Sequence, residues 1–276
     1  MTVPLRAGVI GWPISHSRSP RLHGFWLEKF GIPGTYEAVA ARPEGFEQTL
    51  RDLAAKGWRG ANVTLPHKEV ALSLADEATD RARAIGAANT LTFLPGGRIH
   101  ADNTDAFGFS ENLKERAGVL WAPRRPALVF GSGGAARAVI HALVEAGAPE
   151  IRLANRTRAR ADALAAEFGP KVAPVDWSAA EAALPGAGLL VNTTSLGMEG
   201  HPPLEFDLSA ADLDALATDI VYTPLMTPFL ERAAARGLAT VDGIGMLIHQ
   251  GRPGFHAWFG VEPGAGEAVR RHMLAP

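Results

Sequence analysis

The stretch ALVFGSGGAARA (127–138) joins a short apolar strand to a helix through a glycine-rich turn. The turn fits the pattern G-x-G-x-x-A, which is occupied by Gly131, Ser132, Gly133, Gly134, Ala135 and Ala136. In this pattern the first glycine permits a tight turn, the second lets a pyrophosphate approach the backbone, and the small last residue lets the helix pack on the strand. Because a helix N-terminus also presents N–H groups to a phosphate, the stretch predicts a dinucleotide site. A turn that serves packing alone is the alternative.

The residues around this stretch alternate between strands and helices. Further strands are predicted at EIRLAN (150–155), KVAPV (171–175), GLLVNTT (188–194), TDIVY (218–222) and ATVDG (239–243). Helices are predicted to start at Gly134, Thr157 and Thr227. Strands that are separated by helices form parallel βαβ units. We therefore predict a Rossmann-type, doubly wound parallel sheet in the C-terminal half.

The end of the second strand of this sheet indicates which dinucleotide is bound. An NAD site usually has an acidic residue here, which accepts a hydrogen bond from the ribose 2′-hydroxyl. The chain instead has Asn155, Arg156 and Thr157, followed by Arg158 and Arg160. Guanidinium groups suit a 2′-phosphate, so the sequence predicts NADP rather than NAD. The alternative is the solvated start of a helix.

The N-terminal half also alternates, with less regularity. We predict strands at RAGVIG (6–11), TYEAVA (35–40) and GANVT (60–64), helices at 17–31, 46–57, 66–79 and 104–117, and a hairpin at 90–103. In the first helix Ser19 is a candidate cap and Gly31 the end. Four apolar residues share one face at helical spacing and are predicted to form a buried stripe, namely Leu22, Phe25, Trp26 and Phe30.

The predicted fold class is α/β, with two α/β domains and a cleft between them. Residues 1–105 plus 244–276 form the predicted substrate-binding and catalytic domain, and 106–243 the NADP-binding domain. WAPRRP (121–126) is read as a linker. Two helices at 244–259 and 263–274 return the chain to the first domain.

Lys68 and Asp105 are candidates for acid–base chemistry. The chain has five lysines, and Lys68 lies just past a strand end, in the first turn of a predicted helix. A helix N-terminus disfavours a cation, and such a position suits a lysine that exchanges protons. Asp105 lies at a strand-to-helix junction, where an N-cap is the alternative role. Ser15 and Ser17 flank His16 in the loop after the first strand.

The composition excludes several other classes of protein. Among 276 residues, 27 are Lys or Arg and 29 are Asp or Glu, so no basic footprint indicates nucleic acid or an anionic membrane as a partner. The absence of cysteine excludes disulfides, thiolate metal sites and cysteine nucleophiles. Nine histidines, including His16 and His67, show no metal-ligand spacing, so no metal is predicted. Without a long apolar run or a signal-like N-terminus, a cytoplasmic protein is predicted.

Nine stretches, in order along the chain, resemble the shikimate dehydrogenase family. They are ISHSRSP (14–20), GANVTLPHK (60–68), GAANT (86–90), DNTD (102–105), GSGGAAR (131–137), NRT (155–157), NTTSLGM (192–198), YTPLMTPFL (222–230) and DGIGMLIHQ (242–250). The resemblance implies the NADPH-dependent reduction of 3-dehydroshikimate to shikimate, a precursor of the aromatic amino acids. Gly24, where many relatives carry Asn, and GRPGF (251–255) depart from the family pattern.

The resemblance also implies roles for individual residues. Lys68 and Asp105 look like the catalytic pair. The residues that look like substrate ligands are Ser17 and Ser19 for the carboxylate, Asn62, Thr64, Asn89 and Gln250 for the ring hydroxyls, and Tyr222 in the same pocket. The residues that look like cofactor ligands are the glycine turn, Asn155, Arg156, Thr157, Arg160, Thr194 and Ser195, with Ile220 and Gly243 near the nicotinamide and Asp80 approaching the cofactor.

Four alternatives remain open at this point. A quinate or an aminoshikimate dehydrogenase would share the same motifs. An NADP-binding regulatory module without turnover would need a broken catalytic pair, and Lys68 and Asp105 are both present. A methylene-tetrahydrofolate dehydrogenase also combines a lysine with a cofactor domain, but a hydroxyl-rich pocket argues against a pterin. The sequence leaves the choice between monomer and homodimer open.

Overall fold

The structure, a computed structural model, describes residues 4–118 and 124–275. Its contacts divide the chain into two units, the first comprising Met1–Gly108 and Leu247–Pro276, the second Phe109–Met246. The predicted domain boundaries precede these divisions by three residues on each side. Residues 121–123 of the predicted linker lie outside the described residues.

The first unit contains a six-stranded mixed sheet. Its strands are β1 (Leu5–Gly11), β2 (Gly34–Ala40), β3 (Gly60–Val63), β4 (Glu77–Ala78), β5 (Thr90–Phe93) and β6 (Ile99–Asp102), in the order β2-β1-β3-β5-β6-β4. β1 is parallel to β2 and β3, and β4 is parallel to β6. β5 runs antiparallel to β3 and β6, which confirms the predicted hairpin.

Short helices follow the strands of the first unit. They are α1 (Ser19–Phe30), α2 (Phe46–Ala55), α3 (Lys68–Ser73), α4 (Asp80–Ile85) and the start of α5 (Asp105–Ala117). The single helix predicted over 66–79 is wrong. At Asp76 the backbone N–H donates to the Ile99 carbonyl and the carboxylate accepts from the Ile99 N–H at 2.7 Å. These bonds pull the chain to the sheet as β4, so the helix ends at Ser73.

Two details predicted for α1 are also wrong. Ser19 is the first helical residue rather than the cap. The Ser17 hydroxyl accepts a hydrogen bond from the Ser19 N–H at 3.3 Å. Phe30 is 37% exposed, and the buried face contains His23 and Leu27 as well as the predicted Leu22 and Trp26. The helix ends, as predicted, at a left-handed Gly31.

The second unit contains a six-stranded sheet that is parallel throughout. Its strands are β7 (Ala127–Phe130), β8 (Ile151–Asn155), β9 (Val172–Asp176), β10 (Leu189–Asn192), β11 (Leu216–Asp219) and β12 (Ala239–Val241). The order β12-β11-β10-β7-β8-β9 is the Rossmann order, which reverses direction between β7 and β10. The strand predicted at 218–222 is displaced to 216–219, because the Asp219 carboxylate accepts the Val221 N–H and turns the chain out of the sheet.

Helices connect the strands of this sheet and complete the chain. They are α6 (Gly134–Glu145), α7 (Arg158–Phe168), α8 (Pro228–Arg236), α9 (Ile244–Phe259) and, in the first unit, α10 (Glu267–Leu274). Each unit has its own buried core, centred on Phe130 and Phe229 in the second and on Phe46 and Leu91 in the first. Across 4–118 and 124–275, we find no helix with the length and apolarity to cross a bilayer.

Candidate active site

The first unit places Lys68 and Asp105 in direct contact. Each is the first residue of a helix, α3 and α5. The Lys68 Nζ lies 2.6 Å from the Asp105 Oδ2, and the side chains are only 12% and 6% exposed. The Asp105 carboxylate does not cap its helix. Its N–H donates to the Asn103 Oδ1 at 3.0 Å, and its two oxygens face side-chain donors.

Asn89 joins this ion pair to Gln250. Its Nδ2 donates to the Asp105 Oδ1 at 2.8 Å and to the Gln250 Oε1 at 3.1 Å. Its Oδ1 accepts from the Thr104 N–H at 2.7 Å, and the Thr104 hydroxyl donates to the Gln250 carbonyl at 2.8 Å. The lysine and the carboxylate are therefore held by a buried polar network rather than by each other alone.

Asn62 lies behind this network and is itself fully engaged as a donor. Its Nδ2 donates to the Asn89 carbonyl and to the Thr90 hydroxyl, both at 3.1 Å, and its Oδ1 accepts from the Tyr36 hydroxyl at 2.6 Å. Sequence reasoning did not single out Tyr36, Thr90 or Thr104. The sequence signal for Thr90 and Thr104 was their position inside the motifs GAANT (86–90) and DNTD (102–105).

Ser17, Ser19 and Thr64 lie where β1 and β3 end. The Thr64 N–H donates to the Ile10 carbonyl at 2.9 Å, so the segment after β3 continues alongside β1. Ser19 is buried, whereas Ser17 and Thr64 are half-buried. Within the part of the chain that the structure describes, the hydroxyls of Ser19 and Thr64 have no protein partner. They are therefore available to a ligand.

Two buried histidines of this unit, His67 and His23, pack against aromatic rings. The His67 Nε2 lies 2.8 Å from the Ala41 carbonyl, and its ring stacks on Phe46. The His23 ring stacks on Tyr36 with 3.8 Å between ring centroids. Complete burial lowers the pKa of His23 to about 3, which keeps the ring neutral. In the described ranges, no group of three or more His, Asp or Glu side chains is placed to hold a metal.

The second unit shapes the glycine turn between β7 and α6. Gly131 has φ +106°, and a Cβ there would lie 2.7 Å from the Thr193 Oγ1, so both the backbone and the space require glycine. Gly133 is exposed with open space beside it. No side chain caps the N-terminus of α6, which begins at Gly134. The N–H groups of the first turn, where Ala135 lies, therefore remain available to an anion.

Arginines at the start of α7 divide into one paired and two unpaired residues. Arg158 contacts Asp162 and Asp176, each at 2.8 Å, so its guanidinium is not free for a phosphate. Arg156 and Arg160 are exposed, and neither has an ion pair among the residues that the structure describes. Two guanidinium groups without an ion pair in the described residues, those of Arg156 and Arg160, thus lie beyond the end of β8.

The remaining predicted residues lie at strand ends. Asn155 ends β8, and its Nδ2 donates to the Thr157 carbonyl at 2.9 Å. A Cβ on Gly243 would lie 2.6 Å from the Ile220 carbonyl, so the segments after β11 and β12 touch. In the same unit, Thr194 and Ser195 lie in the loop after β10 and Tyr222 lies in the loop after β11. Asp80 is exposed at the start of α4 and belongs to the first unit.

Comparison with family models gives two matches along the chain. Residues 9–91 match the shikimate dehydrogenase substrate binding domain, and residues 120–197 match the shikimate / quinate 5-dehydrogenase family. The two matches together cover more than half of the chain.

Whole-chain comparisons agree with the family models. The NADP(+) shikimate dehydrogenase of Paracoccus denitrificans is 56% identical over 270 residues, which are 98% of this chain and 95% of the relative. The shikimate 5-dehydrogenase of Thermus thermophilus, in complex with NADP(H) and shikimate, is 42% identical with a TM-score of 0.84, covering 97% and 99% of the two chains. The quinate dehydrogenase of Corynebacterium glutamicum, in complex with NAD, is 31% identical with a TM-score of 0.89, covering 98% and 99%.

Proposed function

The chain belongs to the shikimate dehydrogenase family, and from that membership we propose that it catalyses the reversible reduction of 3-dehydroshikimate to shikimate with NADPH. The observation that carries the proposal is the 2.6 Å contact of the Lys68 Nζ with the Asp105 Oδ2. A regulatory module without turnover would have no need to keep an ammonium and a carboxylate together in a hydroxyl-rich site. We assign substrate binding to the first unit and cofactor binding to the second.

Lys68 is the proposed proton donor. As the carbonyl carbon is reduced, negative charge grows on its oxygen, and a positioned ammonium donates a proton to it. In the opposite direction the neutral lysine takes that proton from the hydroxyl of shikimate. Asp105 holds the ammonium in place, and Asn89 holds the second carboxylate oxygen at 2.8 Å. The carboxylate therefore cannot rotate away from the lysine without breaking a second hydrogen bond.

The proposed substrate ligands are polar groups of the same unit. Ser17 and Ser19 would donate to the carboxylate of the substrate, and the hydroxyl of Thr64 would meet a ring hydroxyl. Asn89 contacts the carboxylate of the ion pair and Gln250 contacts Asn89, and we propose that both orient the ring. The donors of Asn62 are already used within the protein. We therefore propose that Asn62 accepts from the substrate through Oδ1 or supports Asn89. Tyr222 belongs to the second unit, and its contact with the substrate stays a prediction.

NADP fits the residues at the strand ends of the second unit. The left-handed Gly131 and the uncapped start of α6 suit a pyrophosphate, and the unpaired Arg156 and Arg160 suit a 2′-phosphate. When bound, NADPH supplies the hydride. The proposed cofactor ligands of this unit also include Thr194, Ser195, Ile220 and Gly243. Asp80 belongs to the first unit, and its approach to the cofactor stays a prediction. The cytoplasmic location and the choice between monomer and homodimer remain predictions.

One assay tests the proposed function against its nearest rival. Nicotinamide absorbance is followed with shikimate or quinate, each with NADP and with NAD. Quinate carries an extra hydroxyl on a tetrahedral carbon, which a pocket fitted to the flat carbon of shikimate would leave without a partner, at a cost of about 1–3 kcal/mol. We expect kcat/KM to favour shikimate at least about tenfold and NADP over NAD. Comparable values for shikimate and quinate would support the quinate-type enzyme instead.

A further inference from the structure

Asp219 is a buried carboxylate at the end of β11 that the proposed mechanism does not use. It is 1% exposed. Its Oδ2 accepts from the Thr227 hydroxyl at 2.7 Å and from the Asn192 Nδ2 at 3.0 Å. Its Oδ1 accepts from the Val221 N–H at 2.9 Å. Within 4–118 and 124–275, no lysine or arginine forms an ion pair with it.

Asn192, at the end of the neighbouring strand β10, extends this network into the next loop. Its Oδ1 accepts from the Thr194 N–H at 3.0 Å and from the Thr194 hydroxyl at 2.7 Å. Its Nδ2 donates to the Leu196 carbonyl at 3.0 Å as well as to Asp219. Asp219 and Asn192 therefore fix the backbone at the start of two loops, 193–196 and 220–222.

These two loops touch the other strand ends of the sheet. The Thr193 hydroxyl donates to the Phe130 carbonyl at 2.6 Å, directly before the glycine turn. A Cβ on Gly131 would meet that same hydroxyl. On the other side, the carbonyls of Ile220 and Val221 lie against Gly243. Asp219 and Asn192 therefore hold two segments that contain proposed cofactor ligands, and these two contact the other two, the glycine turn and the segment at Gly243.

Stability alone gives a poor account of Asp219. A buried carboxylate without a cation is expensive to desolvate, and burial raises the pKa of Asp219 to about 6. Apolar residues of similar size are often equally stabilising at such positions. What a carboxylate adds is the ability to accept three hydrogen bonds in fixed directions, which orders the loops that donate them.

We propose that Asp219, acting with Asn192, is a positioning residue that orders the strand-end loops for NADPH before the cofactor binds. The inference rests on the proposed function only in naming the cofactor. Because the loops are already ordered in the free protein, binding NADPH does not have to order them. Loss of the Asp219 contacts should therefore weaken the affinity for NADPH.

The test is the substitution Asp219→Asn, with NADPH binding measured directly by calorimetry in the absence of substrate. The amide keeps the shape of the side chain but turns an N–H₂ group toward N–H or O–H donors, so at least one of the three bonds is lost. The control is Leu216→Ala, a buried residue at the opposite end of the same strand. We expect Asp219→Asn to raise the dissociation constant for NADPH roughly tenfold. Leu216→Ala should lower the melting temperature and leave that constant within about twofold.

A second pair of variants covers the case in which Asp219→Asn does not fold. Thr227→Ser keeps the hydroxyl that donates to Asp219, whereas Thr227→Val removes it and keeps the shape. We expect the serine variant to bind NADPH as the wild type does and the valine variant to bind it several-fold more weakly. Equal affinities for the two variants, or an equal effect of Asp219→Asn and Leu216→Ala, would overturn the proposal.

The same measurements separate this proposal from the proposed function. A wild-type protein that binds NADPH but does not turn over shikimate would refute the proposed activity and leave the role of Asp219 to be decided by the variants. A wild-type protein that does not bind NADPH would overturn both.

Discussion

Replacing Arg156 with alanine tests the assignment of the cofactor, because the same helix start offers a built-in control. Arg156 and Arg160 are exposed and carry no ion pair in the described part of the chain, whereas Arg158 is held by Asp162 and Asp176 at 2.8 Å. Removing the Arg156 side chain therefore breaks no ion pair or hydrogen bond among the residues that the structure describes. Any loss of affinity for NADPH in Arg156→Ala can then be assigned to the lost contact between the guanidinium and the cofactor.

The expected magnitude follows from the chemistry of the lost contact. A charge-assisted hydrogen bond contributes about 1.5–3 kcal/mol, which corresponds to roughly ten- to a hundredfold in affinity at about 1.4 kcal/mol per factor of ten. Only NADPH carries the 2′-phosphate. Arg156→Ala should therefore lower kcat/KM for NADPH by that factor and leave kcat/KM for NADH within about twofold.

The assay compares initial rates with NADPH and NADH for Arg156→Ala, Arg160→Ala and Arg158→Ala. Arg160→Ala should act in the same direction but more weakly, since Arg160 lies further along α7. Arg158→Ala should change neither cofactor more than about threefold, because its charge is already paired. An equal loss with NADPH and NADH in Arg156→Ala would refute a contact with the 2′-phosphate and assign Arg156 to structure.

Two further predictions concern the first unit. Burial lowers the pKa of His23 to about 3 in the folded protein, whereas the same side chain takes up a proton near pH 6.5 in the unfolded chain. The free energy of unfolding therefore falls as the pH falls from about 6.5 toward 3. Between pH 7 and pH 4.5, urea unfolding should show that the wild type loses roughly 2–3 kcal/mol more of its unfolding free energy than His23→Gln does. The difference between the two proteins is compared because Asp219, whose pKa burial raises to about 6, stabilises both of them as the pH falls. Equal losses in the two proteins would contradict the prediction. Ser19→Ala should raise KM for shikimate more than it lowers kcat, because the carboxylate is remote from the reacting carbon. A variant that lost stability but kept its KM would show that Ser19 serves only the start of α1.

The second unit was predictable because its determinants are local. The glycine turn and the alternation of short apolar strands with helices indicate a parallel sheet without knowledge of distant contacts. The displacement of β11 is an exception. It depends on the Asp219 carboxylate accepting the Val221 N–H, which strand propensity does not report.

The first unit was less predictable because its structure depends on residues far apart in sequence. Asp76 binds Ile99 through backbone and side chain, and this pairing interrupts a segment whose own pattern favours one long helix. The burial of His23 depends on neighbours that are distant in sequence, such as Tyr36 and Trp258. The sequence of α1 alone does not indicate that a histidine on its apolar face is buried.

In the candidate site, too, single residues could be predicted from local sequence, whereas their contacts could not. Lys68 was marked by its unusual place at a helix start, and Asp105 by its junction, but nothing local indicated that the two would lie 2.6 Å apart. The supporting contacts of Tyr36, Thr90 and Thr104 join strands and helices that are distant in sequence. Asp219 fell inside the strand predicted at 218–222, so neither its place at the end of β11 nor its contacts with Asn192 and Thr227 could be predicted from the local pattern.

The most direct test of the central claim is single-site replacement of Lys68, with kcat and the dissociation constant for NADPH measured on the same preparation. The control is Lys114→Ala, because the exposed side chain of Lys114 pairs with Glu111 on α5 at 2.8 Å. We predict that Lys68→Ala lowers kcat with shikimate by roughly 10²–10⁴-fold, the usual scale for an acid–base group. Its affinity for NADPH and all constants of Lys114→Ala should stay near those of the wild type. A Lys68→Ala protein that turns over shikimate at close to the wild-type rate would contradict the account.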